Sequence, residues 1–253
     1  MQRCRLKPAD LCNALFISGT DTGVGKTFIA AALARLLTRK GVRVGVMKPV
    51  ESGVIDVVQL GADANLLCWA AVNDQPAELV SPYRLKNPVA PAVAASHEGV
   101  KIVPSVIKDA FDTLCASHDF VIVEGAGGLM TPIAGGFLIA DLINLLQIQT
   151  LFVCRPDLGT INHTMLSLFA AQQLNISTAG YIINGMPKHP DMAQERAPHS
   201  LASLAAAELL GVTPYLPATD RHQAVEQLAD AMAAMPTCKK LLTLIGLADL
   251  AGE

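Results

Sequence analysis

The sequence predicts an α/β fold: a single doubly wound, mostly parallel sheet with helices on both of its faces. Short apolar runs alternate with longer segments in which apolar residues recur at helical spacing. The apolar runs are typical of parallel strands that are buried on both sides. Polar, glycine-containing stretches follow these runs, where the carboxyl ends of the strands, and therefore a ligand site, would lie.

The predicted strands are Leu15–Ser18, Val42–Met47, Phe120–Val123, Thr150–Cys154, Gly180–Ile183 and a last one near Val212–Tyr215. The predicted helices lie between them, at Lys26–Arg39, Ala62–Ala71, Pro104–Ser117, Ile139–Gln147, Asn162–Leu174 and Leu201–Leu210. This alternation implies right-handed crossovers between parallel strands. The segment Met186–Ser200 is the most loop-like part of the chain and is interpreted as a loop.

The composition sets broad limits on organisation and partners. The chain has 253 residues, of which 51% are hydrophobic and 16% charged, so it is long enough to bury a substantial core. We predict an N-terminal extension over residues 1–13 and a single domain over residues 14–253. The formal net charge is -3 and the sequence has no long run of lysine and arginine. We therefore expect no nucleic-acid partner.

The sequence also bears on the compartment. We find neither an apolar signal core at the N-terminus nor an apolar stretch long enough to span a bilayer, so we expect no membrane association. The six cysteines are scattered without a C-x-x-C pair, and we interpret them as buried or free thiols of a reducing compartment. These features predict a cytoplasmic protein.

The stretch "GTDTGVGKT", Gly19 to Thr27, connects the first predicted strand to the first predicted helix. Such a turn points backbone N–H groups into one small volume, which suits phosphate. The strict Walker A spacing needs a glycine where this chain has Thr20, so the loop is a P-loop variant and the fold is predicted to be P-loop NTPase-like. Lys26 can reach the outer phosphates, and the Thr27 hydroxyl can ligate magnesium. A glycine turn with a surface lysine is the alternative, which the flanking strand and helix disfavour.

Two more strand ends carry charged side chains. "KPVESG" follows the second strand, and Lys48 would project beside the phosphate loop if the first two strands were neighbours. By itself, a lysine before a proline is more often structural. In "VIVEGAGG", Glu124 ends an apolar strand and could bind magnesium, while the glycines after it allow a close approach of substrate. The alternative for Glu124 is a solvated side chain in a tight turn.

Three further residues have ordinary explanations when their own stretches are considered alone. Asp63 begins a predicted helix, where an aspartate is commonly the N-cap. Asn184 precedes a glycine, and Asn-Gly is commonly a turn. His163 lies near a helix start without a second histidine at ligand spacing, so we predict no zinc site.

Several stretches taken together, and in this order, resemble the dethiobiotin synthetase family, the ATP-dependent carboxylase and ring-closing enzymes of biotin synthesis. The similarity runs from about Leu15 to Leu216. The ordered set is specific, and its members are "GTDTGVGKT", "KPVESG", "GADANLL", "VEGAGGLMTPI", "RPDLGTINHTML" and "GYIINGM".

The resemblance implies roles for the residues at the matching positions. Lys48 would be the catalytic lysine, Lys26 and Thr22 would contact phosphate, and Ser52 would contact the substrate. Magnesium would be bound by Thr27, Asp63 and Glu124. Asn184 would recognise the adenine base. The full set implied for the nucleotide and its metal is Gly23, Val24, Gly25, Lys26, Thr27, Phe28, Asp63, Glu124, Gly125, Ala126, Gly127, Asn184, Gly185, Thr213, Pro214 and Tyr215.

The resemblance also implies substrates and an assembly. The family's substrates are 7,8-diaminononanoate, CO2 and ATP. One amine takes up CO2 as a carbamate, the γ-phosphoryl group converts this into a carbamic-phosphoric anhydride, and the second amine closes the ureido ring. The substrate carboxylate would lie at a helix start of the other subunit, which implies a two-fold homodimer with shared sites. That helix start comprises Gly159, Thr160, Ile161 and Asn162.

Two other functions are compatible with parts of the sequence. Partition-type nucleotide-switch ATPases resemble the predicted fold, but they carry a signature lysine five residues before the second loop lysine, where this chain has Asp21. Cobyrinate-type amide synthases activate a carboxylate with ATP and continue into a glutaminase domain, for which the chain up to Glu253 has no room.

Overall fold

The computed structural model describes residues 13–217 and 219–251. The elements in chain order are β1 (Ala14–Gly19), α1 (Lys26–Arg39), β2 (Val44–Met47), β3 (Val50–Ser52), α2 (Ala62–Ala71), α3 (Ala77–Val80), β4 (Tyr83–Leu85), α4 (Pro91–Glu98), α5 (Pro104–Ser117), β5 (Phe120–Glu124), β6 (Pro132–Ala134), β7 (Phe137–Leu138), α6 (Ile139–Leu146), β8 (Gln149–Cys154), α7 (Thr160–Gln173), β9 (Thr178–Met186), α8 (Met192–Leu204), β10 (Leu209–Pro214), α9 (Arg221–Ala234), α10 (Cys238–Leu244) and a 3-10 helix (Ala248–Ala251).

The central sheet has six parallel strands in the order β10-β9-β8-β1-β5-β2. The predicted α/β fold with a mostly parallel, doubly wound sheet is therefore confirmed. Two small two-stranded sheets accompany it, β3 with β4 and β6 with β7. Strand β5 lies between β1 and β2, so the condition under which Lys48 was placed beside the phosphate loop, that the first two strands are neighbours, is not met.

Successive residues of a strand point to opposite faces of the sheet. Because these residues are apolar on both faces, helices cover both sides of the sheet. In β1, Leu15 and Ile17 face a core built with α1, α2, α9 and α10. Phe16, between them, faces the other core, which is built with α4 to α8. All three side chains are fully buried. Burial on both sides explains why the strands are apolar throughout and confines polar groups to the strand ends.

The predicted boundaries are wrong mainly around residues 186–210. The segment interpreted as a loop contains most of α8, and the helix predicted at Leu201–Leu210 ends at Leu204. Helix α8 begins at a capping box, in which the Asp191 carboxylate accepts the Gln194 N–H and the Gln194 side chain accepts the Asp191 N–H. Pro198 lies inside the helix, and such a proline argues against a helix when sequence alone is considered.

Other differences are smaller or fall where no element was predicted. Asn184 and Gly185 do not form the turn that Asn-Gly suggests, because β9 continues to Met186. No elements were predicted at β3, β4, β6, β7, α3, α4, α9 and α10. The predicted extension over residues 1–13 lies, apart from Asn13, outside the described residues.

The described residues also bear on membrane-spanning helices and on the cysteines. Within residues 13–217 and 219–251, no helix is long and apolar enough to cross a membrane. Cys68, Cys154 and Cys238 are free thiols, as expected. Cys115 is disulfide-bonded, so the expectation of a thiol is wrong at this position.

Candidate active site

The phosphate loop lies at the carboxyl end of β1 and leads directly into α1. Gly23 and Gly25 have φ values of 76° and 89°, which side-chain-bearing residues rarely adopt. A Cβ atom on Gly25 would also overlap the Asn184 amide. Gly25 is the N-cap of α1 and provides no side-chain cap for its first N–H groups. The loop therefore presents free N–H donors and the positive end of a helix, as a phosphate site requires.

Lys26 lies inside this loop rather than on the surface. Its side chain is 7% exposed and its Nζ donates a hydrogen bond to the Asp21 carbonyl oxygen at 3.0 Å. Burial lowers the pKa of Lys26 to about 8, against the attraction of Glu124 and with a further contribution from the nearby Lys48. The ammonium is thus short of negative partners, and a bound polyphosphate would supply them.

Lys48 forms the centre of a buried charge cluster with Glu124 and Asp63. Its Nζ lies 2.5 Å from Oε1 of Glu124 and 3.3 Å from Oδ2 of Asp63. Burial works to lower the pKa of Lys48, but Glu124 and Asp63 outweigh it and the pKa lies above its ordinary value. Lys48 is therefore held as a charged ammonium. The intervening strand β5 brings Lys48 and the phosphate loop together, because Glu124 ends that strand.

Glu124 connects this cluster to the phosphate loop. Its side chain is 1% exposed, and Oε1 accepts a hydrogen bond from the Thr27 hydroxyl at 2.8 Å. Oε2 is buried and accepts no hydrogen bond from any described residue. A carboxylate oxygen of this kind, beside a hydroxyl at the start of the P-loop helix, fits the oxygen chemistry that magnesium prefers. The explanation of Glu124 as a solvated turn residue is excluded by its burial.

Asp63 lies in the first turn of α2, whose N-cap is Gly61, so the expectation of Asp63 as N-cap is wrong. Its Oδ1 accepts a hydrogen bond from Arg221 at 3.1 Å, and Arg221 is the first residue of α9. Burial works to raise the pKa of Asp63, but Lys48 and Arg221 lower it below its ordinary value. Asp63 is therefore held as a carboxylate at the edge of the charge cluster.

A cavity of about 1070 Å³ opens over these residues. Its polar end is formed by the phosphate loop, Lys48 and the carboxylates, and its other walls include apolar side chains. Ser52 lies in its wall, and the Ser52 hydroxyl is buried with no hydrogen-bond partner among the described residues. The predicted site residues that line this cavity are Thr22, Gly23, Gly25, Lys26, Thr27, Phe28, Lys48, Ser52, Asp63, Glu124, Ala126 and Gly127. Apolar residues of its wall include Val50, Pro88, Val89, Leu129, Pro132 and Leu166.

A second cavity of about 620 Å³ lies on the other side of the phosphate loop. The Asn184 amide donates to the Val24 carbonyl oxygen at 2.9 Å and accepts from the Thr213 hydroxyl at 2.7 Å. Thr213 is buried and lies behind Asn184 rather than in the wall, so it orients the amide. The predicted nucleotide residues in this wall are Gly23, Val24, Gly25, Phe28, Asn184, Gly185, Pro214 and Tyr215.

The other residues of the predicted site line neither cavity. Gly125 lies behind the main cavity against Phe16, where a Cβ atom would be 2.7 Å from the ring. Gly159 is the N-cap of α7 with a φ of 95°, and it is exposed. Gly159, Thr160, Ile161 and Asn162 line neither cavity of their own chain.

Four charged residues near the loop were not predicted. Arg155 pairs with Asp21 at 3.2 Å, Glu51 bonds to the start of α2, and Arg221 holds Asp63. Each acts through a contact between segments distant in sequence. Asp21, Glu51 and Arg155 lie within the recognised stretches, but Arg221 lies beyond them.

Comparison with known proteins identifies a family model and close relatives. Residues 13–223 match a family model described as an AAA domain. The chain is 40% identical to the ATP-dependent dethiobiotin synthetase of Thermodesulfovibrio yellowstonii over 79% of this chain and 88% of the relative. It is 39% identical to the enzyme of the same name from Aromatoleum aromaticum over 85% of this chain and 96% of the relative.

Solved structures with a similar fold are more distant in sequence. The cell division protein MinD of Aquifex aeolicus superposes with a TM-score of 0.55 at 15% identity, over 95% of this chain and 97% of that chain. A ParA family ATPase from Chlorobium tepidum gives a TM-score of 0.53 at 13% identity, over 95% and 98%. At these identities the likeness concerns the fold alone.

Proposed function

The chain belongs to the family of ATP-dependent dethiobiotin synthetases, and we propose that it carboxylates and closes 7,8-diaminononanoate with ATP and CO2 to give dethiobiotin, ADP and phosphate. The observation that carries the proposal is the charge cluster at the sheet edge. Two buried lysines, Lys26 and Lys48, lie near Glu124 in one cavity that also has apolar walls. The lysines would complement the charge of a polyphosphate, and the apolar walls would complement the aliphatic chain of a diamine.

In the proposed reaction, one amine of the substrate takes up CO2 as a carbamate. The carbamate oxygen attacks the γ-phosphorus, ADP leaves, and a carbamic-phosphoric anhydride forms. The second amine then attacks the carbonyl carbon and phosphate leaves, which closes the ring. Lys26 would stabilise the charge on the transferring phosphoryl group, and Lys48 would hold the anionic carbamate beside it. The site must also exclude water during the reaction, because water would hydrolyse the anhydride.

Magnesium is part of the proposal because the residues present fit it. When bound, the ion would neutralise charge on the phosphates. Thr27, Asp63 and Glu124 would hold it, and the unpartnered Oε2 of Glu124 supports this assignment. Among the described residues, no group of three or more His, Cys, Asp or Glu side chains could hold a metal ion. Magnesium is usually held by one or two carboxylates together with phosphates and water, and Asp63 and Glu124 would supply the carboxylates.

The base of ATP is assigned to the second cavity in this proposal. Asn184 offers an amide oriented by Thr213, and Pro214 and Tyr215 offer faces for stacking on a ring. The phosphate loop separates the two cavities, so the triphosphate would pass from one to the other along it. Gly23, Gly25 and Phe28 line both cavities, which supports this path.

A two-fold homodimer with shared sites is also part of the proposal. The start of α7 serves neither cavity of its own chain, although its free N–H groups suit a carboxylate. Apolar side chains are exposed at and beyond this helix start, notably Leu158 at 86%, Leu166 at 58% and Phe169 at 61%. Such residues are typical of a subunit contact. A cytoplasmic location completes the proposal, since ATP is supplied there.

The dependence of ATP hydrolysis on other reactants tests the proposed function. We expect phosphate release to require both 7,8-diaminononanoate and bicarbonate as the source of CO2. Omission of either should leave only slow background hydrolysis. Stimulation by glutamine instead would favour an amide synthase, and stimulation by a partner protein would favour a nucleotide switch.

Glu124→Gln is expected to raise the magnesium concentration needed for half-maximal turnover about tenfold or more. A neutral amide replaces a carboxylate ligand, while the Michaelis constant for 7,8-diaminononanoate should change less. Magnesium titrations at saturating substrates measure this shift. Glu195→Gln, an exposed position on α8, is the matched control. A magnesium titration equal to that of the unmodified protein would remove Glu124 from the metal site.

Mixed dimers test the shared site. Lys48→Ala and Gly159→Asp are each expected to be inactive, because each defect lies in a different subunit's contribution to one site. After random reassociation, the mixture should recover roughly a quarter of the unmodified activity, since half of the dimers contain one intact site.

Gly41→Asp controls for the strain of an aspartate at positive φ. Gly41 has a φ of 82° and open space around it, and it follows α1 at the opposite end from the phosphate loop. Mass spectrometry must show that subunits have exchanged. A mixture that stays inactive after exchange would contradict the shared site.

A further inference from the structure

We infer that Glu51 is a positioning residue, whose carboxylate holds the first turn of α2 and thereby sets where the Asp63 carboxylate lies. The inference rests on the proposed function, in which Asp63 is a magnesium ligand. Glu51 itself is assigned no contact with nucleotide, metal or substrate.

The contacts of Glu51 are those of a helix cap supplied from another segment. Its side chain is 5% exposed, Oε1 accepts the Asp63 N–H at 2.8 Å, and Oε2 accepts the Ala64 N–H at 3.2 Å. The N-cap of α2 is Gly61, which has no side chain to accept these donors. Without Glu51, the partly buried start of α2 would keep two N–H groups, those of Asp63 and Ala64, without these acceptors. Glu51 lies in β3, so it joins this strand to the helix.

Gly61 supports this interpretation independently. A Cβ atom on Gly61 would overlap the Glu51 carboxylate. The backbone of Gly61, with φ -72° and ψ 176°, is one that any residue adopts without strain. The space taken by Glu51, rather than backbone conformation, therefore explains the need for glycine.

Among the described residues, Glu51 accepts the Asp63 and Ala64 N–H groups at the start of α2, and Arg221 donates to the Ala62 carbonyl oxygen at 3.3 Å. The connection between Ser52 and Ala62 contains exposed residues, including Ile55 at 98% and Val58 at 73%. The Asp63 side chain meets Lys48 at 3.3 Å and Arg221 at 3.1 Å, which are its partners inside the site. Glu51 fixes its backbone. A shift of the α2 start would move the carboxylate relative to Thr27 and Glu124, and metal sites tolerate such shifts poorly.

Binding of ADP with and without magnesium tests the inference by calorimetry. Glu51→Ala should raise the magnesium concentration for half-maximal enhancement of ADP binding about tenfold, as loss of a supporting residue commonly does. ADP affinity in excess chelator should stay unchanged, because the phosphate loop is intact. Glu51→Gln should give a smaller shift, since its amide oxygen still accepts one of the two N–H groups.

Gly61→Ala should reproduce the magnesium shift of Glu51→Ala, because its methyl group displaces the carboxylate. In the Glu51→Ala background, Gly61→Ala should cause no further shift in the magnesium dependence, since the carboxylate that the methyl group would overlap is absent. Asp141→Ala is the matched control. Its carboxylate accepts the Leu138 N–H at 2.8 Å at the start of α6, and it lines neither cavity.

The outcomes separate this inference from the proposed function. If Asp63→Asn shifts the magnesium dependence and neither Glu51→Ala nor Gly61→Ala does, the inference alone is overturned. Additive shifts for Glu51→Ala and Gly61→Ala also overturn it. If Asp63→Asn leaves the dependence unchanged, both the metal role of Asp63 and the positioning role of Glu51 are overturned, whatever Glu51→Ala does.

Discussion

Lys26→Ala is expected to lower the rate of ring closure by a factor on the order of a hundred to a thousand, as loss of one preorganised donor commonly does. Lys26 is the ammonium enclosed by the phosphate loop, and burial has already removed its water. Its removal would leave charge on the transferring phosphoryl group without the counter-charge that we propose Lys26 supplies. Initial rates of phosphate release at saturating 7,8-diaminononanoate, bicarbonate and ATP measure the effect.

Lys101→Ala is the matched control for this variant. Lys101 is exposed just before α5 and lines neither cavity. The control should retain the unmodified rate. Activity of Lys26→Ala within about a factor of two of the unmodified protein would remove Lys26 from phosphoryl transfer.

Lys48→Ala is expected to lose ring closure to a similar extent while it still binds ADP. Lys48 lies outside the loop that cradles the phosphates, and its ammonium is instead held between Glu124 and Asp63. Calorimetry with ADP and magnesium separates binding from turnover. A loss of ADP binding equal to that of Lys26→Ala would show that Lys48 is a phosphate ligand rather than a residue of the carboxylation step.

Lys48→Ala leaves the buried Glu124 carboxylate without its cationic partner, which is a cost to stability, whereas Asp63 keeps its pairing with Arg221. Lys48→Met keeps the aliphatic stem in the same space and provides a second variant. Thermal unfolding of both variants shows whether the fold is retained. ADP binding by either variant, together with lost turnover, would support the assigned role.

The sequence predicts the sheet well because the information for a buried parallel strand lies in consecutive residues. Leu15 to Ile17 are apolar and all three are fully buried, whichever face they point to. The phosphate loop is equally local, since its glycines and Lys26 lie within one stretch. The error at α8 arises from a conflict between local signals. Pro198 argues against a helix, and the capping box from Asp191 to Gln194 outweighs it.

The candidate site could be predicted only in part because its geometry depends on contacts between distant segments. Lys48 and Glu124 were expected near the phosphates, but their mutual contact depends on the strand order in which β5 lies between β1 and β2. Arg221 comes from the tail beyond the recognised stretches, and its pairing with Asp63 exists only in three dimensions. The capping role of Glu51 is of the same kind.

The fold comparison and the sequence comparison answer different questions. The cell division protein MinD and the ParA family ATPase share the fold at low identity, and their function does not transfer with it. The position of their signature lysine is occupied here by Asp21, which pairs with Arg155. The two relatives compared above, at 39–40% identity, carry the name ATP-dependent dethiobiotin synthetase. This family membership, combined with the charge cluster, favours ring closure over a nucleotide switch.

Incorporation of labelled carbon tests the ring-closing activity most directly. The purified protein is incubated with 7,8-diaminononanoate, ATP, magnesium and carbon-13 bicarbonate, and the products are analysed by mass spectrometry. We expect dethiobiotin with the label in its ureido carbonyl, formed together with one phosphate for each ring. ATP hydrolysis without any labelled ring, under conditions in which the protein binds ADP and magnesium, would contradict the account.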